Sequence, residues 1–276
     1  SDVCSSDLDE IYFCPFSLQS KYNDLIQELT ETGITLHIAM KSLQALAGTE
    51  QHVEKIGGNY VVTSALMMLT PGQIIAKRCL DLLGGLVGSI ITILITPIIG
   101  GLIWKEDHGP IFYTSDRVGE NGKVFKMYKF RSMVTNADAL KEQLQDQNRV
   151  QNGLMFKIEH DPRIIGGKNG IGEFIRRTSL DEFPQFFNVL KGDMSLVGTR
   201  PPTLDEWAKY EPHHRARLST KPGVTGMWQI SGRSEFDDFN EIVRFDKDYI
   251  TNWSLLNDIK IILKTVLVVF NRHGAY

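Results

Sequence analysis

The sequence contains little cysteine and no large excess of either charge. Its 276 residues include three cysteines, Cys4, Cys14 and Cys79, with no CxxC pair and no Cys/His metal spacing. This pattern excludes a disulfide framework and a zinc site, and it fits a reducing cytoplasmic setting. The formal net charge is -3 at pH 7, so the charge balance gives no indication of nucleic-acid binding.

The N-terminal part also lacks the GxGxxG and P-loop motifs, so no nucleotide-binding motif is found there. Residues 1–8 match no element pattern, and we expect them to be foreign to the fold or disordered. Residues 9–65 combine short apolar runs with an amphipathic helix pattern ending at Gly33. This predicts a partial β/α, Rossmann-like domain, too short for a complete doubly wound sheet. Residues 66–75, which contain Pro71-Gly72, are predicted to be a linker.

Charge is absent from Leu82 to Trp104. At about 1.5 Å per residue, a helix of this length is long enough to cross a bilayer core of roughly 30 Å. Thr96-Pro97 interrupts the helix pattern, and the glycines of this segment favour bending. Basic residues typical of the cytoplasmic side flank both ends: Lys77, Arg78, Lys105, Arg117, Lys123, Lys126, Lys129 and Arg131. A re-entrant hairpin satisfies both flanks and a single span does not, while a buried core helix is the third alternative.

Beyond this segment the pattern changes to alternating strands. Residues 111–117 and 123–131 flank Gly119-Glu120-Asn121-Gly122, and Asn-Gly between alternating runs predicts a β-hairpin. Alternation places Lys123, Lys129 and Arg131 on one face of the second strand. Short helix patterns follow, so the predicted fold class is α+β. It consists of a re-entrant membrane hairpin and a small domain of short helices and a β-hairpin, preceded by the partial β/α segment.

Two adjacent carboxylates, Asp181 and Glu182, follow Arg176 and Arg177. Ser179 and Glu182 have capping-box spacing, ahead of an apolar helix face that Gly192 is placed to end. In the alternative start, Asp181 is itself the cap. Either start puts a carboxylate beside the positive end of a helix, where phosphate oxygens are also attracted. Ordinary acids of a helix start are the other interpretation.

Arg200 precedes Pro201-Pro202, which holds it extended in a loop and available to a ligand. A glycine-rich loop follows at residues 221–229. The last helix pattern, residues 259–270, carries Lys260 and Lys264 on a largely apolar segment, as is typical of an interfacial helix.

From about Ala76 to the C-terminus the chain resembles the bacterial sugar transferases. These are monotopic polyprenyl-phosphate phosphoglycosyl transferases that begin capsule, exopolysaccharide or O-antigen assembly. The resemblance rests on Lys77-Arg78-x-x-Asp81, residues 128–133 (YKFRSM), 176–185 (RRTSLDEFPQ), 188–195 (NVLKGDMS), Arg200-Pro201 and the loop 222–226 (PGVTG). This family usually has proline where the chain has Thr199, which predicts a looser loop around Arg200.

The resemblance implies a transferase domain at residues 76–276, with a re-entrant helix at 82–104 and the catalytic domain on the cytoplasmic face of the bacterial inner membrane. It implies a catalytic dyad that also holds Mg²⁺, made by Asp181 and Glu182. The implied substrate-binding residues are Lys129 and Arg176 for phosphates, Arg200 and Pro201 near the nucleotide, and Asp246. Residues 9–65 resemble the tail of a domain found in longer members, so the chain is expected to be part of a longer protein.

In the implied reaction, Asp181 attacks the sugar-bearing phosphate of a UDP-sugar and UMP leaves. Undecaprenyl phosphate then takes the phosphosugar from the aspartyl intermediate, which gives a polyprenyl diphosphosugar. The implied partners are UDP-sugar, polyprenyl phosphate and membrane lipid, without nucleic acid, and a homo-oligomer is compatible with them. Two alternatives remain: a membrane-bound scaffold that binds a nucleotide sugar without turnover, and a metal-dependent nucleotide-sugar pyrophosphatase. No residue identifies the sugar.

Overall fold

The computed structural model describes residues 10–13, 22–39, 50–144, 158, 161–231 and 238–271. It is a mixed helix and sheet structure, in agreement with the predicted α+β class. The prediction for residues 1–8 lies outside the described residues. Where residues 66–75 were predicted to be a linker, the long second helix already begins at Pro71.

The N-terminal unit is a four-stranded sheet with one helix. Strands β1 (Glu10–Phe13) and β2 (Thr35–Ala39) are parallel, and helix α1 (Asn23–Glu31) lies between them in the chain. Strands β3 (Glu50–Ile56) and β4 (Asn59–Ala65) form an antiparallel hairpin, and the sheet order is β1-β2-β4-β3. Because β4 joins β2 antiparallel, the described strands do not continue as a doubly wound sheet, and the Rossmann-like prediction is not confirmed.

Helix α2 (Pro71–Asp107) contains the whole uncharged stretch. Thr70 and Gln73 form a capping box at its start, and His108, at φ 49°, ends it. Pro97 lies inside the helix, where it removes the N–H group that would reach the carbonyl of Ile93. The helix nevertheless continues through this position as one element, so the predicted break at Thr96-Pro97 into a two-limbed hairpin is not confirmed.

One face of α2 packs on the rest of the chain along its length. Its buried residues include Lys77, Asp81, Gly88, Thr92 and Ile103. The opposite face exposes large apolar side chains: Leu83, Leu86, Val87, Ile90, Ile93, Leu94 and Ile98. A single exposed apolar face of this kind is what a lipid-facing helix presents.

Several glycines of α2 allow close contact with neighbouring elements. A Cβ atom added at Gly88 would lie 2.2 Å from the ring of Phe186, and one added at Gly84 would lie 2.4 Å from Leu196. Small residues allow helices to approach closely. The sequence analysis assigned these glycines to bending, whereas the structure uses Gly84, Gly85 and Gly88 for close packing.

The predicted β-hairpin is confirmed. Strands β5 (Phe112–Val118) and β6 (Val124–Phe130) pair antiparallel. Asn121 and Gly122 have positive φ angles of 53° and 80° in the connecting turn, which asparagine and glycine tolerate best. Asn188, in the helix Gln185–Lys191, fixes the hairpin to that helix. Its amide oxygen accepts from Tyr128 N at 3.0 Å, and its amide nitrogen donates to Lys126 O at 2.7 Å.

The remaining elements are short and surround a core that includes Val189, Met194, Leu196 and Tyr249. Strands β7 (Ser195–Val197) and β8 (Gly223–Thr225) pair in parallel. The other helices are α3 (Ala137–Gln143), α4 (Ile171–Arg177), α5 (Gln185–Lys191), α6 (Leu204–Trp207), α7 (Pro212–Arg215), α8 (Met227–Ile230), α9 (Phe239–Thr251) and α10 (Leu255–Asn271).

Helix α10 matches the predicted interfacial segment and begins a few residues earlier. Lys260 and Lys264 are exposed beside exposed Leu256, Leu263 and Leu267. This helix is joined to α2 by a buried ion pair in which Lys77 Nζ lies 2.7 Å from Asp258 Oδ2. The two helices with exposed apolar faces are therefore tied together at their N-terminal ends.

Candidate active site

The two acidic residues lie in a 3-10 turn, Leu180–Glu182, between α4 and α5. Ser179, which precedes the turn, has φ 55° and its side chain caps nothing. Helix α5 begins at Gln185 and ends at Gly192, which has φ 97°. The predicted end is therefore confirmed. Ser179 precedes the turn and Asp181 lies within it, as in the first predicted start, but the Ser179 side chain forms no cap and the α-helix itself begins only at Gln185.

Glu182 is paired with a lysine from the hairpin. Its Oε1 atom lies 2.8 Å from Lys129 Nζ, and the two side chains are 20% and 23% exposed. Gln185 also donates to the Glu182 carboxylate. Asp181 is half-buried. The predicted acid and the predicted phosphate-binding lysine are thus in direct contact although they come from separate parts of the chain.

The Arg200 loop supplies a second charged pair. Arg200 Nη1 lies 3.2 Å from Glu206 Oε2, and Thr203 N donates to the same oxygen at 3.0 Å. Burial alone would raise the pKa of Glu206, but Arg200 and the Thr203 N–H together hold this pKa below its ordinary value. Glu206 is therefore an ionised, buried anchor for Arg200.

Arg117, from the end of β5, lies beside Arg200. Its Nη1 atom donates to the carbonyl oxygen of Pro201 at 3.3 Å, and its Nε atom donates to Ser115 Oγ at 3.3 Å. Burial first, and then the positive charge of Arg200, lower the pKa of Arg117. Two guanidinium groups are thus held close together at one site.

These groups line one pocket. Its lining contains Lys129, Glu182, Arg200 and Pro201 of the predicted site residues, together with Arg117, Gln185, Gly223, Val224 and Gln229. Met127 completes the lining. These last six residues were not predicted as site residues. Arg117 carried a signal, since it is a basic residue at the end of a predicted strand, but it was counted as a membrane flank.

Three predicted site residues lie outside this lining as far as the chain is described. Asp181 adjoins the pocket through Glu182. Arg176 is exposed at the end of α4. Asp246, on α9, is fully buried against Arg217, with Arg217 Nε 2.5 Å from its carboxylate. Arg217 Nη2 lies 3.5 Å from the carbonyl oxygen of Arg200, so Arg217 connects Asp246 to the arginine loop by hydrogen bonds.

Glycines let the two loops of the pocket meet backbone to backbone. A Cβ atom at Gly198 would lie 2.1 Å from Lys221 O, and one at Gly223 would lie 2.1 Å from Gly198 N. Thr199 is fully buried, and its hydroxyl donates to Arg217 O at 2.8 Å. Thr199 therefore connects the loop around Arg200 to Arg217. The looser loop expected from the replacement of proline stays a prediction.

The acidic turn is attached to α2. The hydroxyl of Thr92 donates to the carbonyl oxygen of Phe183 at 3.0 Å. Nearer the start of α2, Arg78 donates to the carbonyl oxygens of Val189 and Leu190, at 2.9 and 2.8 Å. These carbonyls lie near the C-terminal end of α5, where positive charge is favourable. Lys77 and Arg78 were predicted to be a cytoplasmic flank, but they bind groups inside the protein.

Comparison with known proteins agrees with this architecture. The family model for bacterial sugar transferases matches residues 72–272. The chain is 45% identical over 267 residues to the galactosyl transferase CpsE of Streptococcus agalactiae, covering 95% of this chain and 57% of the relative. It is 44% identical over 227 residues to the undecaprenyl-phosphate galactose phosphotransferase of Salmonella typhimurium, covering 79% and 47%.

A shorter relative is the exopolysaccharide production protein ExoY of Sinorhizobium fredii, 37% identical over 205 residues, covering 73% of this chain and 88% of the relative. The chain spans about half the length of the first two relatives. The matched region includes α2, the hairpin, the acidic turn and both loops of the pocket. The chain therefore belongs to the bacterial sugar transferase family.

Proposed function

We propose that this chain transfers a sugar 1-phosphate from a UDP-sugar to polyprenyl phosphate at the bacterial inner membrane. One observation carries the proposal: a pocket containing Arg117, Lys129 and Arg200 adjoins the acidic turn, and that turn is hydrogen-bonded to the apolar helix α2. A diphosphate donor needs the cations, and a lipid acceptor needs the apolar surface.

In the proposed first step, a carboxylate oxygen of Asp181 attacks the phosphorus that carries the sugar. A bond forms between that oxygen and phosphorus, the bond from phosphorus to the bridging oxygen breaks, and UMP leaves with the bridging electrons. In the second step an oxygen of polyprenyl phosphate attacks the same phosphorus and the Asp181 carboxylate is restored. A covalent intermediate splits one difficult displacement into two easier ones.

The positive side chains offset charge in both steps. Lys129 and Arg200 are proposed to contact the diphosphate because they line the pocket beside Glu182. Arg176 is exposed four residues before Leu180 and is proposed to contact phosphate from outside the pocket. Asp246 is proposed to act indirectly, because its carboxylate is buried against Arg217 rather than turned toward the pocket.

The acidic pair also fits a magnesium ion completed by substrate. Among the described residues, no group of three or more His, Cys, Asp or Glu side chains is placed to hold a metal. Mg²⁺ commonly uses only one or two carboxylates together with substrate phosphate oxygens, and Asp181 with Glu182 meets that requirement. A bound ion would supply charge neutralisation at the phosphate. Glu182 must then exchange its contact with Lys129, which becomes available to phosphate.

Both ends of α2 are proposed to lie on the cytoplasmic face. Lys77 near its start and Asp107 at its end each form an ion pair with the globular part of the chain, to Asp258 and Arg131 respectively. A helix that crossed the bilayer would carry one of these contacts to the opposite side. The exposed apolar face between them supports an arrangement in which α2 enters the membrane from one side.

The names of the two relatives at 44–45% identity both specify galactose, so UDP-galactose is the first donor to assay. The test is UMP release by the full chain in lipid nanodiscs. Release that depends on polyprenyl phosphate supports transfer, whereas UMP with free sugar phosphate in the absence of lipid would indicate the pyrophosphatase. Nucleotide-sugar binding without UMP release would indicate the non-catalytic scaffold. The family relationships do not favour either alternative.

A further inference from the structure

Arg117 is a half-buried positive charge in the pocket lining. Its two hydrogen bonds go to neutral oxygen atoms of Pro201 and Ser115, each at 3.3 Å. Among the residues that the structure describes, it forms no ion pair. Arg200, in contrast, has Glu206, and Lys129 has Glu182.

The position of Arg117 is electrostatically costly without an anion. Burial and the nearby Arg200 charge both lower the pKa of this guanidinium, and like charges in a half-closed pocket raise each other's energy. The negative charges of Glu206 and Glu182 partly offset this lowering of the Arg117 pKa. Each of these carboxylates is, however, hydrogen-bonded to another cation. An arginine that keeps its charge in such a place is suited to bind a ligand with more than one negative charge.

The backbone around Arg117 is held firmly. The adjoining Val118 N donates to Pro202 O at 3.0 Å. The backbones of Arg117 and Thr203 form an isolated antiparallel β-bridge. The hairpin is thus fixed to the loop that carries Arg200. Arg117 is therefore held beside Arg200 by main-chain contacts that do not depend on its guanidinium group.

We propose that Arg117 and Arg200 together form the diphosphate subsite of the donor, with Arg117 contacting a phosphate oxygen directly. This inference rests on the proposed function and names a binding residue for it. Arg117 donates to the carbonyl oxygen of Pro201, the residue that follows Arg200, and both arginines line the pocket together with Gln229. A nucleotide with two phosphates fits this pair better than one without phosphate, because each additional charge offsets the repulsion between the guanidinium groups.

The test is equilibrium binding of UDP and of uridine to the full chain, compared with Arg117→Gln and Arg117→Lys. Arg117→Gln is expected to weaken UDP binding by about 10- to 100-fold, the range for one lost hydrogen bond to a charged group. Uridine binding should be unchanged. Arg117→Lys keeps the charge and loses the planar guanidinium group, so its UDP affinity should lie between those of the original chain and Arg117→Gln. Thermal melting verifies that each variant is folded.

Lys126→Gln is the matched control. It removes a positive charge from the same hairpin, but Lys126 is exposed and paired with Asp116 outside the pocket. UDP affinity in this control should stay within a factor of two of the original, while a comparable loss in it would show that only overall charge matters and would overturn the assignment.

Unchanged UDP affinity in Arg117→Gln, or equal weakening of UDP and uridine, would also overturn it, since the latter indicates a displaced loop. Failure of the unaltered chain to bind UDP would also overturn the assignment of this subsite. These outcomes are separate from failure of the transferase proposal, which would be seen as UDP binding without lipid-dependent UMP release.

Discussion

The hydroxyl of Thr92, on the buried face of α2, donates a hydrogen bond of 3.0 Å to the carbonyl oxygen of Phe183, the residue that follows Glu182. The same hydroxyl lies 2.7 Å from the carbonyl oxygen of Gly88 in its own helix. One side chain therefore connects the apolar helix to the acidic turn. Movement of α2 relative to the catalytic unit would be transmitted to the backbone that carries the dyad.

Thr92→Val is expected to lower stability and turnover together. The substitution keeps the shape but removes this donor from the Phe183 carbonyl, which still accepts from Phe186 N at 3.1 Å. We therefore expect a loss of about 0.5–1.5 kcal/mol, the net contribution of one hydrogen bond. Thr96→Val is the control, because within the described part of the chain the Thr96 hydroxyl bonds only to Thr92 O of the same helix. Denaturation midpoints and kcat are measured for both. Equal effects of the two substitutions would contradict a specific role for the contact with Phe183.

Gly88→Ala is expected to separate α2 from α5. Its Cβ atom would lie 2.2 Å from the Phe186 ring, and such overpacking costs about 1–3 kcal/mol. Gly101→Ala should be tolerated, since nothing lies within 4 Å of a Cβ atom there. Melting temperatures in matched nanodiscs compare the pair. A stable Gly88→Ala protein would show that the helices can shift apart without loss.

The two ends of α2 are expected to react from the same side of the membrane. Single cysteines are placed at Gly72 and Lys105, both exposed, in a chain whose Cys4, Cys14 and Cys79 are changed to serine. A membrane-impermeant maleimide applied to sealed inside-out vesicles should label both positions. In right-side-out vesicles it should label neither. Labelling of one position in each preparation would establish a bilayer-crossing helix.

Acid should weaken the arginine loop through Glu206. The folded-state pKa of Glu206 is lowered, because Arg200 and Thr203 N–H outweigh the effect of burial. Its contribution to stability is therefore fully present above its ordinary value of 4.5 and is lost as pH falls through the lower folded value. Glu206→Gln should reduce stability at neutral pH and show a shallower loss as the pH falls below 4.5.

Thermal melting over this pH range measures the difference. Glu241→Gln, which removes an exposed carboxylate on α9, is the control and should follow the original pH profile. An unchanged acid profile in Glu206→Gln would mean that this carboxylate does not anchor the loop.

Features determined by neighbouring residues were predictable from the sequence. The hairpin follows from Asn121-Gly122, and the end of α5 follows from Gly192, because their positive φ angles are local requirements. The start of α5 was not predictable, since Glu182 is engaged by Lys129 from a distant strand. Strand β3 was missed because charged residues interrupt its apolar alternation.

The candidate site divides in the same way. Lys129, Glu182, Arg200 and Pro201 were named from motifs, and the structure brings them into one pocket. Arg117 could not be assigned, because only the folded hairpin places it beside Arg200. The packing role of Gly88 likewise depends on Phe186, which lies on another helix. Long-range contacts decided the features that sequence patterns left ambiguous.

Intact-protein mass spectrometry followed by peptide mapping shows whether Asp181 carries the phosphosugar, as we propose. The chain is incubated with UDP-galactose and Mg²⁺ without lipid, quenched, and compared with Asp181→Asn. The account predicts a mass increase of one phosphosugar on the peptide containing Asp181 and one equivalent of UMP. Polyprenyl phosphate should remove the added mass, and Asp181→Asn should show neither product. Lipid-dependent transfer that persists in Asp181→Asn, or a phosphosugar on another residue, would contradict the account.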